Sequence, residues 1–145
     1  MPKIVFDASS VVGALLNQNS LPERALLLAR SNDTICLSAA VEAEIREVAG
    51  RPKFQKYLTP SRMELILEIL TAAAFVVEPS EAVADCRDVK DNKYLELALA
   101  AGAEIIVSSD QDLLTLDPWR GIRIMTPAAY VARHSEVTEV QSGRC

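Results

Sequence analysis

Four carboxylates stand where an acid is either expensive to keep or well placed to work. Asp7 directly follows the apolar run Ile4-Val5-Phe6, and Asp110 follows Ile105-Ile106-Val107-Ser108-Ser109. Both runs read as strands, so both acids fall just past a carboxyl end, where open α/β sheets bind ligands. Aspartate is also a good helix N-cap, but two such placements in one small domain point towards a site. Glu44 lies three residues after Val41 and four before Val48. It therefore falls inside the apolar stripe Val41, Ile45, Val48 of a helical segment, whereas Glu42 and Glu47 fall off it. A carboxylate among core-facing residues costs several kcal/mol unless a metal ion or a buried arginine compensates it. Asp91 opens another helical segment, on the face of Leu95 and Ala98, and is also placed to cap it. Asp88, one turn upstream, is a weaker candidate for a supporting role. Asp112 is as suited to capping a short helix as to touching a metal, and Asp117, before Pro118, reads as a turn residue.

Asp7, Glu44, Asp91 and Asp110 together offer oxygen donors without histidine or cysteine, which suits a hard cation, Mg²⁺ or Mn²⁺. The convergence of the other acids on one end of the sheet favours this over an arginine partner for Glu44. Without such an ion the carboxylates would repel one another. The chemistry implied is phosphoryl transfer, with the cation polarising phosphate and activating water.

Five strand-like runs must carry these acids: Lys3–Phe6, Thr34–Leu37, Phe75–Glu78, Glu104–Ser108 and Ile122–Met125. Helical patterns lie between them. Thr59-Pro60 and Thr126-Pro127 are N-cap-then-proline starts, the second opening a helix over Ala128–Arg133. Gly50 and Gly102 stand where the helices Ser38–Ala49 and Asp91–Ala101 should stop. Strands alternating with helices imply βαβ units and a mostly parallel sheet. No repeat or linker interrupts residues 1–134, which read as one domain. Residues 135–145 lack clear periodicity and are expected to be disordered.

The chain has 145 residues, 50% of them hydrophobic and 24% charged, an ordinary globular balance. The longest uncharged stretch, Ala8–Pro22, includes Asn17, Gln18, Asn19 and Ser20. It is too short and too polar for a membrane span of roughly 20 apolar residues. Asp7 interrupts the N-terminal apolar run, against a secretory signal. Cys36, Cys86 and Cys145 form no CxxC and read as free thiols of a reducing cytoplasm. The lone histidine, His134, excludes a multi-histidine zinc site. A net charge of −5 argues against nucleic-acid binding by bulk positive charge, but not against a metal held by acids.

Four segments, in order, resemble the PIN (PilT N-terminus) domain. They are Val5-Phe6-Asp7-Ala8-Ser9-Ser10-Val11-Val12; Glu44-Ile45-Arg46-Glu47-Val48; Arg87-Asp88-Val89-Lys90-Asp91-Asn92-Lys93-Tyr94-Leu95-Glu96-Leu97-Ala98; and Val107-Ser108-Ser109-Asp110-Gln111-Asp112-Leu113-Leu114. The similarity is greatest to prokaryotic toxin components of toxin–antitoxin systems, relatives of VapC. The resemblance implies a three-layer, Rossmann-like α/β/α sandwich with a sheet of about five strands. It implies a metal-dependent ribonuclease in which acids matching Asp7, Glu44, Asp91 and Asp110 hold Mg²⁺ or Mn²⁺. It further implies that Asp112 contributes in some members, that Ser9 orients the first acid or a water, and that Asn92 orients a ligand. Single-stranded RNA would be cleaved by water, leaving a 5′-phosphate and a 3′-hydroxyl. A cognate antitoxin, a homodimer and a prokaryotic cytoplasm are implied as well. Ala8 stands where many members carry threonine, and the loop before Asp91 is not diagnostic; both leave the choice of substrate open.

Arg46, Arg51, Lys53, Lys56 and Arg62 fall within 17 residues against one acid, Glu47, with Phe54 and Tyr57 interleaved. That composition suits phosphate contact with base stacking, and equally a solvated face with two aromatics turned inward. Arg87, Lys90 and Lys93 flank Asp91 and offer phosphate contacts too. Two other readings compete. An aspartyl-nucleophile phosphohydrolase would use Asp7, but it wants an acid where Ser9 stands and a lysine later than Lys93. A catalytically weak module of the same fold would bind RNA or protein only. The helix Pro60–Ala74 offers the apolar face Met63, Ile66, Leu67, Leu70, a pattern more often core than interface.

Overall fold

The computed structural model describes residues 2–142, with side chains to residue 134; Cys145 lies outside the described residues. The strands are β1 (Lys3–Phe6), β2 (Thr34–Leu37), β3 (Phe75–Val76), β4 (Ile105–Val107) and β5 (Arg123–Met125). Among the described residues, seven helices connect and follow them: α1 (Ala8–Leu16), α2 (Leu21–Asn32), α3 (Ala39–Ala49), α4 (Pro60–Ala73), α5 (Asn92–Ala101), α6 (Gln111–Leu114) and α7 (Pro127–Ser142). The strands form one sheet in the order β3-β2-β1-β4-β5. Every pairing is parallel, with Ile4 opposite both Ile35 and Ile105, and Ile106 opposite Ile124. Helices cover both faces, so β1 and β4 are apolar throughout: Ile4, Val5, Phe6, Ile105, Ile106 and Val107 are all buried. This is the three-layer α/β/α arrangement. The chain runs outward from β1 to β2 and β3, then returns to add β4 on β1's other side. The carboxyl ends of β1 and β4 thus flank the switch point where such sheets bind ligands.

Local chemistry sets the helix ends. Asp7, Ser38 and Thr59 cap α1, α3 and α4 by accepting the N–H of Ser10, Val41 and Arg62. Gly102 ends α5 with φ +68, a left-handed conformation that suits glycine. On α4, Leu67 and Leu70 are buried and Met63 and Ile66 pack against the core, so that face is core. Tyr130 of α7 is fully buried, meets Phe6 edge to face at 6.1 Å and donates its hydroxyl to Asp33 at the end of α2.

Two elements differ from their sequence pattern. The run Phe75–Glu78 yields only Phe75–Val76 as strand, although Val77 N–H still bonds the Leu37 carbonyl at 3.0 Å. Glu78 leaves the edge because its carboxylate accepts the Ala39 N–H at the start of α3, at 2.9 Å. The last helix runs on to Ser142 rather than ending at Arg133, since no breaker follows Pro127 until Gly143. Among the described residues, no helix is long and apolar enough to cross a membrane.

Candidate acid site at the carboxyl end of the sheet

Asp7 is 4% exposed and fully engaged. Its Oδ1 accepts the Ser10 N–H at 2.9 Å and its Oδ2 accepts the Ser108 hydroxyl at 2.5 Å. Its own N–H bonds the Val107 carbonyl at 3.1 Å, which locks the exit of β1 to that of β4. Ser108, fully buried, uses its oxygen twice: it donates to Asp7 and accepts the Asp110 N–H at 2.9 Å. One hydroxyl therefore sets the spacing between the two strand-end acids. Asp110 also caps α6 by accepting the Asp112 N–H at 2.8 Å.

Asp91 closes a short 3-10 turn, Val89–Asp91, immediately before α5. Carboxylate oxygens of Asp88, Asp91 and Asp110 lie within 4.8 Å of one another. The Asp91 Oδ2 is buried without a hydrogen-bond partner. Burial, a carboxyl–carboxyl hydrogen bond with Asp110, and the charges of Asp110, Asp88 and Asp7 push the Asp91 carboxyl up to about 7. Such a group holds a proton near neutrality unless a cation takes its place. Three converging carboxylates, one of which carries a bare buried oxygen, suit a hard divalent cation, so the donor set fits Mg²⁺ or Mn²⁺.

The structure draws this cluster together differently from the spacing argument. Asp88 stands among the three converging acids. Glu44 does not: its Oε2 is ion-paired with Lys93 Nζ at 3.1 Å, with the two side chains 25% and 21% exposed. Asp112 is half-buried outside the three; its N–H serves Asp110 and its carbonyl accepts the Cys86 thiol at 3.6 Å. Asn92 is buried and spends its amide on the loop: Oδ1 accepts the Cys86 N–H at 2.8 Å, and Nδ2 donates to the Val89 carbonyl at 3.3 Å. It thereby pins the segment bearing Asp88 and Asp91. Ser9 is exposed, and the groups that hold Asp7 are the Ser10 N–H and the Ser108 hydroxyl.

The basic segment is largely spoken for. Arg46 bonds Glu42 at 3.1 Å and also Glu64, and Arg51 bonds Glu47 at 3.0 Å. The Lys53 and Lys56 ammoniums lie over the rings of Phe54 and Tyr57, at 5.0 and 5.7 Å. Tyr57 is 65% exposed, so its ring remains open to stacking.

Ser108 and Tyr94 escape a sequence reading. Ser108 looks like the end of a strand. Tyr94 looks like a core aromatic, yet its hydroxyl accepts the Ala8 N–H at 3.0 Å, beside Asp7. Burial raises the Tyr94 hydroxyl well above its ordinary value, and the charges of Asp7, Glu44 and Asp91 add to that. The available signal was position alone: Ser108 sits two residues before Asp110, and Tyr94 three after Asp91.

A parallel sheet with a buried aspartate at its switch point and three aspartates converging beside it defines a Rossmann-like domain with an acidic site. Residues 3–112 match the family model described as PIN domain, and the chain belongs to that family. It is 31% identical over 116 residues to an uncharacterized protein of Methanocaldococcus jannaschii, covering 79% of this chain and 74% of that one. Two solved structures share the fold. The first is from Rickettsia felis VapBC2, bound to a DNA fragment from their promoter. Its TM-score is 0.56 at 16% identity, covering 84% of this chain and 96% of that one. The second is PAE2754 of Pyrobaculum aerophilum, with a TM-score of 0.59 at 14% identity, covering 92% and 90%.

Proposed function

We propose that this protein is a metal-dependent endoribonuclease and the toxin of a toxin–antitoxin pair, hydrolysing phosphodiester bonds of single-stranded RNA. The observation that carries the reading is the convergence of the Asp88, Asp91 and Asp110 carboxylates, with the Asp91 Oδ2 buried and unpartnered. Membership of the PIN domain family and the likeness of fold to VapBC2 support it. The likeness to VapBC2 supports a cognate antitoxin as part of the proposal, and the family resemblance adds a homodimer and a cytoplasmic setting to it.

Asp88, Asp91 and Asp110 would hold Mg²⁺ or Mn²⁺, with Asp7 and Ser108 fixing their spacing. When bound, the ion supplies charge neutralisation at phosphate and lowers the cost of deprotonating water. Asp91 would hold the ion as a carboxylate, with the cation in place of its proton. Asn92 keeps the 86–91 segment from drifting away from α6. Lys53, Lys56 and the open ring of Tyr57 offer contacts for a strand leaving the site, with Arg46 and Arg51 available only if they leave their present acids. Asp7 is a poor nucleophile, since both of its oxygens accept hydrogen bonds inside the core; this disfavours the aspartyl-phosphate alternative.

The test is incubation of the purified protein with structured and unstructured RNA in Mg²⁺, Mn²⁺ or EDTA, beside Asp91→Asn. Cleavage is expected only with a divalent ion and only with Asp91 intact. Equal cleavage by Asp91→Asn, or cleavage in EDTA, would overturn the assignment.

A further inference from the structure

The three converging acids arrive on two separate stretches of chain. Asp88 and Asp91 close the connection that runs from β3 over residues 77–88 into the 3-10 turn, and Asp110 opens the short unit made of α6 and the turn after it. Carboxylates within 4.8 Å of one another repel, so the two stretches are pushed apart unless something ties them. Trp119, Arg120 and Asp85 supply such a tie. Trp119, 6% exposed, donates its indole N–H to Asp85 Oδ2 at 2.9 Å. Arg120 lies over the Trp119 ring at 4.6 Å and pairs with Glu81 at 3.1 Å and Asp85 at 3.6 Å. Glu96 and Asn92 of α5 hold the same loop at other points, accepting the N–H groups of Val83 and Cys86, both at 2.8 Å.

The turn is built around this contact. Trp119 and Ile122 exchange backbone hydrogen bonds at 2.9 and 2.8 Å, which leaves Arg120 and Gly121 as a two-residue connection. Both have positive φ, 50 and 82. Such a turn favours Asn-Gly, because glycine and a short polar residue enter the left-handed region most cheaply. Arginine at the first position is a strained choice, and its length accounts for it: the guanidinium reaches two acids of the loop. Glu81 and Asp85 are exposed, so these ion pairs are weak by themselves, and the buried Trp119 N–H carries most of the tie.

We propose that Trp119 and Arg120 are positioning residues for the cation site: through Asp85 they keep the segment bearing Asp88 and Asp91 beside Asp110. The proposal rests on the cation reading above and deepens it. Asp85 stands three residues before Asp88, and Trp119 stands on the unit that Asp110 opens, so one bond sets the separation of the two acid-bearing stretches. Partners that orient metal ligands from outside change metal affinity by about 10- to 100-fold.

The experiment uses the full chain, with Mn²⁺ calorimetry on the folded protein and urea unfolding in EDTA. Trp119→Phe keeps a ring under Arg120 and loses the N–H, and its Mn²⁺ affinity should fall about tenfold. Asp85→Ala, at the exposed end of the same bond, should match it. The double variant should be no weaker than either single one, because both remove one interaction. Asp85→Asn keeps an acceptor oxygen and should stay within about threefold of wild type. Arg120→Asn separates position from charge. Loss of a cation by itself tightens Mn²⁺ binding, and asparagine suits the turn, so stability in EDTA should be kept or raised. Through the tie, Mn²⁺ affinity should instead fall about threefold.

Unchanged Mn²⁺ affinity in Trp119→Phe and Asp85→Ala overturns the proposal, whatever their urea midpoints, since a merely structural bond lowers the midpoints and leaves the affinity of the folded protein alone. Equal losses in Asp85→Asn and Asp85→Ala with none in Trp119→Phe overturn it too, because Asp85 then acts by its charge. Tighter binding in Arg120→Asn overturns the role of Arg120. A wild type that binds no Mn²⁺ sinks the cation reading and this proposal together; binding lost in Asp91→Asn but intact in Trp119→Phe sinks this proposal alone.

Discussion

Asp91 should cost the cation-free protein stability at neutral pH, and Asp91→Asn should recover it. The rise of its carboxyl from an ordinary 3.8 to about 7 corresponds to roughly 4 kcal/mol at 1.36 kcal/mol per pH unit. Part of the carboxyl faces solvent, and screening there reduces the effective figure to about 2 kcal/mol. The sign follows from linkage. The folded state binds this proton more tightly than the unfolded one, so the contribution is fully present below pH 4. It declines as pH rises and is lost above pH 7, once the folded carboxyl also ionises. Asparagine has no proton to lose and keeps a donor for Asp110. In EDTA, wild type and Asp91→Asn should therefore unfold at similar urea concentrations at pH 4.5. At pH 8 the variant should be the more stable by about 2 kcal/mol, a midpoint shift of about 1 M for a chain of this size. The comparison reads Asp91 together with its coupling to Asp110, Asp88 and Asp7, because the rest of the chain is common to both proteins. Millimolar Mn²⁺ should then raise the wild-type midpoint at pH 8 and leave the variant nearly unmoved. A variant that is less stable than wild type at pH 8 in EDTA would refute the reasoning, since the carboxylates would then not be in net repulsion.

Ser108→Ala removes the donor to Asp7 and the acceptor of the Asp110 N–H inside the core, so it should cost about 1–3 kcal/mol in urea denaturation. It should also slow RNA cleavage, because the two strand-end acids lose their common brace. Asn92→Ala frees the 86–91 segment at both ends of one amide, and Mn²⁺ affinity measured by calorimetry should fall about tenfold or more. Tyr94→Phe leaves the Ala8 N–H without its acceptor, at about 1 kcal/mol in thermal unfolding with little change in Mn²⁺ affinity.

The parts of the fold that could be read from the chain are those whose cause is local. Runs such as Ile4-Val5-Phe6 and Ile105-Ile106-Val107 are apolar on both faces because helices cover both faces of the sheet. Caps such as Ser38 and Thr59 act on N–H groups three residues away. The pairings of the site are not local. Ser108 meets Asp7 across 101 residues, and Lys93 meets Glu44 across 49. No periodicity encodes either contact. The helix register puts Glu44 among Val41, Ile45 and Val48, but register says nothing about which group on the next element will meet it. The place of Asp88 is not local either. Its position depends on how Asn92 folds the preceding loop, and only the closed 3-10 turn shows that it comes beside Asp91 and Asp110.

The distribution of counter-charge around the site separates a working cluster from a structural one. A polar network kept for stability would pair its acids, as the chain does elsewhere: Arg123 serves Asp117, Arg120 serves Glu81 and Asp85, and Arg46 serves Glu42 and Glu64. Glu44, on the edge of the site, receives Lys93. Among the described residues no ion pair reaches Asp7, Asp88, Asp91 or Asp110. Neutral groups hold them instead: a serine hydroxyl, backbone N–H groups and, through the loop, an asparagine amide. Neutral donors fix geometry without cancelling charge. Four acids positioned in this way, with Asp91 driven to take a proton when nothing else is bound, keep a net negative field at the switch point of the sheet. That field attracts a divalent cation and repels an RNA backbone. A phosphodiester can therefore approach only once the cation is in place.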